Sequence, residues 1–225
     1  MEYNFLDHGF VVKRQIIDKD ILNRLSKELD ECYSRYVPNF VDIDSAIKTL
    51  DKDDKSLLYE ISKSTGNLLT MKEISVNLRR YLESRRTLFE VTNGYIIGLP
   101  NDNRITYDYH QESSYWPNYK YDVTTVQYSI SDRLTKDNGS MSVLVGSHKL
   151  GALEYHKSEY KPHSTMSNIP VDIDKFKNKY EEYVFELERG DCAFFHKDLI
   201  HRSNTNITDT VRLAGTIRFA QEFKI

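Results

Sequence analysis

Cysteine is almost missing from this chain, whose 225 residues include only Cys32 and Cys192. Two thiols so far apart supply neither a disulfide framework nor the paired spacing of a zinc finger. Long apolar runs are missing too: none approaches the length that a membrane-crossing helix needs. The opening MEYNFLDHGFVV lacks the basic start and extended apolar stretch of a signal peptide. Nor is there an excess of charge of one sign. The net charge is -3, the pI is 6.2, and lysines and arginines are scattered, which argues against a nucleic-acid partner. The expected setting is the cytoplasm, without membrane association, and the sequons at Asn138 and Asn206 are then chance matches.

Hydrophobic residues at 39% and charged residues at 29% are ordinary globular values, so disorder is not expected. No internal repeat, low-complexity tract or linker divides the chain, and one domain over 1–225 is expected. Its first part, about 14–86, reads as helical after a short strand at 9–13. Asp18 caps a helix whose Ile21, Leu22, Leu25 and Leu29 share one face. Residues 34–55 read as irregular, a helix is expected over 56–63, and Thr70-x-x-Glu73 reads as a capping box for a third helix. From about 87 the pattern changes to short β-runs at 87–98, 122–131, 140–145, 183–188, 192–196 and 210–220. In the second, Val126, Tyr128 and Ile130 alternate with Thr125, Gln127 and Ser129, the period of a half-buried strand. Asn138-Gly139 and Arg189-Gly190-Asp191 supply turns, the latter being a plain turn rather than an adhesion tripeptide. Residues 147–182 form a long, weakly structured excursion with a short helix after Asp174, a length common in lids. The fold class is mainly β with flanking helices, a jelly-roll core following a helical N-terminal third.

Chemistry concentrates in His110-Gln111-Glu112, in His201 about ninety residues later, and in Arg212 eleven positions beyond that. Two imidazoles and one carboxylate on one face of an octahedral metal leave three positions open, as non-haem Fe(II) oxygenases require. An arginine near the distal histidine can grip a co-substrate carboxylate through its fork. His-x-acid by itself says little, since seven histidines and 34 acidic residues give about one such pair by chance. A second pair, His196-Lys197-Asp198, closes the apolar run Cys192–Phe195, where a histidine is usually packed or hydrogen-bonded. His110 instead precedes Ser113-Ser114-Tyr115-Trp116-Pro117, a polar and aromatic loop suited to a pocket, with Tyr115 and Trp116 as candidate substrate contacts. Arg212 interrupts the apolar run Val211–Ala214, where a charge is rare without a partner. Arg218 shares its strand parity and is the weaker competitor.

The order HQExxYW, NGSMSVLVGSHKLG, GDCAFFHKDLIHRSNTN and then the arginine resembles the phytanoyl-CoA dioxygenase family. The opening HGFVV…DILNRLSKEL is similar to it as well, so the resemblance covers most of the chain except 34–90 and 150–180. It implies a double-stranded β-helix (jelly-roll, cupin-like) core and Fe(II)- and 2-oxoglutarate-dependent chemistry. By motif position it implies His110, Glu112 and His201 as iron ligands, Arg212 under the 2-oxoglutarate tail, Tyr95 and Tyr128 in the co-substrate pocket, and Ser203 as a second contact. His148 and His196 match positions read as structural. The family's acid is normally aspartate. Glutamate still offers an anionic oxygen, but its extra methylene moves that oxygen by about one C–C bond and adds a rotamer. Because the carboxylate is kept, halogenation is disfavoured.

The function these features point to is an Fe(II)/2-oxoglutarate dioxygenase that hydroxylates a small or medium polar metabolite. Its small-molecule partners are that substrate, 2-oxoglutarate and O2. Segments around 34–70 and 150–182 are expected to act as lids. Two alternatives remain open: a metal-binding cupin-like jelly roll without redox chemistry, such as an isomerase, and a non-catalytic binding module.

Overall fold

Short polar caps and apolar stripes start the chain's helices. A computed structural model describes residues 3–83, 88–101, 107–116, 121–158 and 167–221. Helix α1 (Phe5–His8) is capped by Asn4, whose Oδ1 accepts from Asp7 N, and ends at Gly9 with φ 83°. Strand β1 (Phe10–Lys13) follows. Helix α2 (Lys19–Ser34) begins at the predicted cap, Asp18, and buries Leu22, Leu25, Leu29 and Tyr33 along one face. Residues 34–55 are not irregular, contrary to the expectation. Asp42 accepts from Ser45 N at 2.7 Å and starts α3 (Ile43–Asp53), which buries Ala46, Ile47 and Leu50. Helices α4 (Lys55–Ser64) and α5 (Leu69–Glu83) complete the layer. The expected capping box does not form, because α5 already includes Thr70. Thr70 Oγ1 donates to Glu28 Oε1 at 2.8 Å, and Glu73 pairs with Arg24 at 2.6 Å. Both residues therefore tie α5 to α2.

The strands are β2 (Leu88–Leu99), β3 (Asp122–Ser129), β4 (Arg133–Leu134), β5 (Met141–Leu144), β6 (Tyr155–Lys157) and β7 (Asn168–Pro170). After α6 (Ile173–Lys179) come β8 (Glu182–Val184), β9 (Leu187–Glu188), β10 (Cys192–His196), β11 (His201–Ser203) and β12 (Arg212–Gln221). A five-stranded antiparallel sheet runs β1-β10-β3-β12-β2. A three-stranded one runs β11-β5-β8, with β4-β9 and β6-β7 as separate pairs. The run expected at 183–188 is thus two strands, serving two different sheets. The predicted excursion holds the paired strands β6 and β7 and helix α6; its residues 159–166, like Pro117, lie outside those described.

Strand parity divides the core. On one face of the large sheet Val126, Tyr128, Cys192, Phe194, Ile217 and Phe219 pack on the helices through Leu22, Leu25, Ile47, Ile61, Ile74 and Leu78. On the other, Phe10, Ala193, Phe195 and Ala214 meet Val143 of the small sheet, Phe185 just after β8, and Leu199. Phe194 and Phe195 are neighbours facing opposite ways, as a period of two requires. This is the two-layered jelly roll with helices backing its larger sheet. The lid expected at 34–70 is instead a packed helical layer, with Ala46, Ile47, Leu50, Leu58 and Ile61 buried in the helix-side core.

Candidate metal centre

His110 and His201 are brought together by a two-residue antiparallel bridge. His110 N donates to His201 O at 2.9 Å and His201 N to His110 O at 3.0 Å, which leaves the two rings 4.2 Å apart. Each Nδ1 lies against a backbone carbonyl, Asp108 O at 2.7 Å for His110 and Leu199 O at 2.8 Å for His201. A carbonyl can only accept, so Nδ1 carries a proton in both rings, and Nε2 is the atom each ring can offer a metal. Burial and the neighbouring His201 depress the His110 pKa to about 3, which keeps that imidazole neutral.

The third group is Glu112, which opens a short 3-10 turn (Glu112–Tyr115) two residues after His110. One ligand atom from each of His110, Glu112 and His201 lies within 4.8 Å of the others, and all three residues are buried. Among the described residues this is the one cluster able to hold a metal. Glu112 Oε1 sits 3.7 Å from His201 Nε2. Arg218 meets the same carboxylate with two parallel bonds, Nε to Oε2 and Nη2 to Oε1, each 2.9 Å. Burial raises the Glu112 pKa, but Arg218, helped by His201, more than offsets it and holds the carboxyl below its usual range.

Arg212 lies on the same face of β12, opposite Leu99 of β2. It is 3% exposed; Nη2 donates to Gly139 O at 3.0 Å, while Nε and Nη1 have no hydrogen-bond partner among the described residues. Burial brings its pKa down to about 10. The predicted Asn138-Gly139 turn supplies that carbonyl, with Gly139 at φ +87° and a would-be Cβ 2.9 Å from Asn204 O. An arginine with two buried nitrogens unmatched among the described residues can take an anion through its fork.

The other predicted residues divide. Tyr95 lies opposite Thr216 on this inner face, and its hydroxyl accepts from Arg218 Nη2 at 3.2 Å. Ser203 shares the His201 face of β11 by its two-residue spacing. The Tyr115 ring presents an edge to His110 at 5.8 Å, and Trp116 stacks 5.5 Å from the Arg218 guanidinium. Tyr128 does not reach the site. It faces the helices, donates to Met71 Sδ at 2.8 Å, and packs where a side chain on Gly215 would overlap its ring. The polar members of the same alternation, Thr125 and Gln127, face inward, and their Oγ1 and Oε1 are buried without hydrogen-bond partners among the described residues. His196 is engaged with Asp122 at 3.0 Å and Asp198 N at 3.1 Å, and His148 with Leu6 O at 3.0 Å; neither belongs to the cluster of His110, Glu112 and His201. Gln111, unmarked in the sequence, bonds Gly151 O, Asp198 O and Leu153 N at 2.7–2.9 Å.

A family profile described as phytanoyl-CoA dioxygenase matches residues 5–214. The chain belongs to the phytanoyl-CoA dioxygenase family. Within that family it is similar to a probable phytanoyl-CoA dioxygenase of Caenorhabditis elegans, 29% identical over 96% of this chain and 72% of that protein. It also resembles the peroxisomal phytanoyl-CoA dioxygenase of Homo sapiens, 30% identical over 49% of this chain and 32% of that protein. Among solved structures, EvdO2 from Micromonospora carbonacea var. aurantiaca, complexed with 2-oxoglutarate, superimposes with a TM-score of 0.62 at 16% identity. That match covers 97% of this chain and 88% of EvdO2. The epimerase SnoN, in complex with Fe3+ and alpha ketoglutarate, gives a TM-score of 0.59 at 12% identity over 96% of this chain and 80% of SnoN. Likeness at such identities shows the shared jelly-roll fold. No helix among the described residues is long and apolar enough to cross a membrane.

Proposed function

We propose that the chain is an Fe(II)- and 2-oxoglutarate-dependent dioxygenase that hydroxylates a small or medium polar metabolite and releases succinate and carbon dioxide. The observation that carries this reading is Arg212: a buried guanidinium with two nitrogens unpartnered among the described residues, on the inner face of β12 that also carries Arg218, the partner of Glu112. Two neutral nitrogens and one carboxylate fit iron(II), and Arg212 fits the distal carboxylate of a keto diacid. Iron bound there would supply oxygen activation driven by oxidative decarboxylation of the co-substrate. His110 and His201 hold the metal through Nε2, with their Nδ1 protons fixed on carbonyls. Glu112 supplies the anionic oxygen. Arg212 and Ser203 orient the co-substrate, Tyr95 walls the pocket, and Tyr115 with Trp116 border the substrate's approach. In the balance, one oxygen atom of O2 enters succinate and the other the substrate.

The segment around 150–182 serves as the lid. Its described residues are tied to the chain that bears Glu112 at two places: Gln111 holds Gly151 and Leu153, and Asn168 Nδ2 donates to Ser114 O at 3.0 Å. Closure there excludes water from the desolvated centre. The whole chain is proposed to act as one unit. A cytoplasmic setting is retained, in keeping with two unpaired cysteines, and is tested by fractionation against a peroxisomal marker. Incubating the iron-loaded protein with 2-oxoglutarate, O2 and a polar metabolite extract should yield a product gaining one oxygen atom. A product of unchanged composition, with no succinate formed, would instead support the isomerase reading.

A further inference from the structure

The longer acid at position 112 is matched by a feature of β12 that the metal set does not itself require. Arg218 is held on three sides. Its guanidinium stacks 5.4 Å from the Tyr95 ring and 5.5 Å from the Trp116 ring, and Nη2 also donates to the Tyr95 hydroxyl at 3.2 Å. Central placement in the sheet, between β2 and β3, fixes its backbone. From that rigid base the guanidinium grips both oxygens of Glu112 in a planar fork, a geometry a point charge cannot reproduce. Each carboxylate oxygen has two acceptor positions, and the fork occupies one on each. Oε1, the oxygen 3.7 Å from His201 Nε2, thus keeps a free position on the side of the histidines.

We propose that Arg218 is the positioning residue of the metal centre, fixing the rotamer of Glu112 and presenting Oε1 rather than Oε2 to the metal. Glutamate has one more rotatable bond than aspartate, so a ligand at this position is looser unless something outside the metal sphere holds it. The clamp of Arg218, Tyr95 and Trp116 is that holder, and it explains how a His-x-Glu pair can present its oxygen beside the histidines. The inference rests on the reading of His110, Glu112 and His201 as the metal set.

The test titrates full-length metal-free protein with cobalt(II), reading affinity and the visible ligand-field band together. Arg218→Lys keeps the positive charge and loses the fork, so Coulomb repulsion alone predicts no change. Positioning predicts about a 10–100-fold loss of cobalt affinity, the range for removing a group that orients a ligand, together with a shifted band. Glu112→Asp should also bind more weakly, because the shorter acid cannot reach the fork and the metal together. The double variant should then be no weaker than Glu112→Asp alone. Wild-type affinity and an unshifted band in Arg218→Lys would overturn the proposal, as would additive losses in the double variant. Should Arg218→Lys fail to fold, Tyr95→Phe removes one anchor of the clamp, and a smaller loss in the same direction is expected. No cobalt binding by the wild type, or binding that survives His201→Ala, would show that the metal-set reading has failed rather than the clamp.

Discussion

Replacing Arg212 by methionine should move stability and co-substrate binding in opposite directions. Arg212 is buried, yet among the described residues Nε and Nη1 have no hydrogen-bond partner and Nη2 alone is bonded, to Gly139 O. A buried unsatisfied donor costs roughly 1–3 kcal/mol, so two cost roughly 2–6 kcal/mol. Methionine fills a similar volume without that cost but strands the Gly139 carbonyl, giving back about 1–3 kcal/mol. The metal-free variant should therefore be more stable by something on the order of 1–3 kcal/mol, a rise of several degrees in Tm for a chain of this size. In the iron-loaded protein the same change removes the partner of a desolvated carboxylate. It should weaken 2-oxoglutarate binding by about 2–5 kcal/mol, roughly 30-fold to several thousand-fold. Thermal unfolding of metal-free protein and an anaerobic 2-oxoglutarate titration read the two effects separately. A less stable metal-free variant with unchanged 2-oxoglutarate affinity would refute the assignment and move the anchor elsewhere.

His110→Ala and His201→Ala should each abolish iron binding and leave circular dichroism close to wild type, whereas His196→Ala should keep iron. The reverse pattern would transfer the site to the other His-x-acid pair. Asp191 offers a stability test remote from the metal. It is 1% exposed and accepts from Arg14 Nη1 at 2.6 Å and from the amides of Gln15 and Glu188 at 2.9 Å. Burial raises its pKa, but Arg14 and these amides outweigh burial and leave it below 3.8 in the fold. That stabilisation is complete above the unfolded value and fades as pH falls through the folded one. Asp191→Asn should thus cost about 1.5–3 kcal/mol at neutral pH, and its deficit should shrink on acidification below about pH 4. Parallel denaturation curves at pH 7 and pH 3 would contradict this.

The element boundaries were largely legible because periodicity and caps act locally. Asp18 starts its helix as expected, and Cys192–His196 is a strand with the predicted limits. Direction was less legible, since alternation shows that a strand has two faces without showing which one meets the site. Motif position had placed Tyr128 in the co-substrate pocket. The helices claimed it together with Val126, and the polar set of Thr125 and Gln127 turned inward. The helix at Ile43–Asp53 was hidden by its charged surface, although Asp42 is an ordinary cap and Ala46, Ile47 and Leu50 form its buried stripe. For the site, the triad was readable from residue types and order. The part played by Arg218 was not, because its contact with Glu112 joins positions 106 residues apart. Its even spacing from Arg212 showed the shared face but not the partner.

The central claim is that His110, Glu112, His201 and Arg212 together couple iron to 2-oxoglutarate turnover. Its most direct measurement is succinate formed by purified protein supplied with Fe(II), 2-oxoglutarate and O2. Succinate should appear with the wild type and be lost on chelation, without oxygen, and in His201→Ala. Wild-type protein that binds iron at the triad yet forms no succinate, with a substrate-bearing metabolite extract present, would contradict the account.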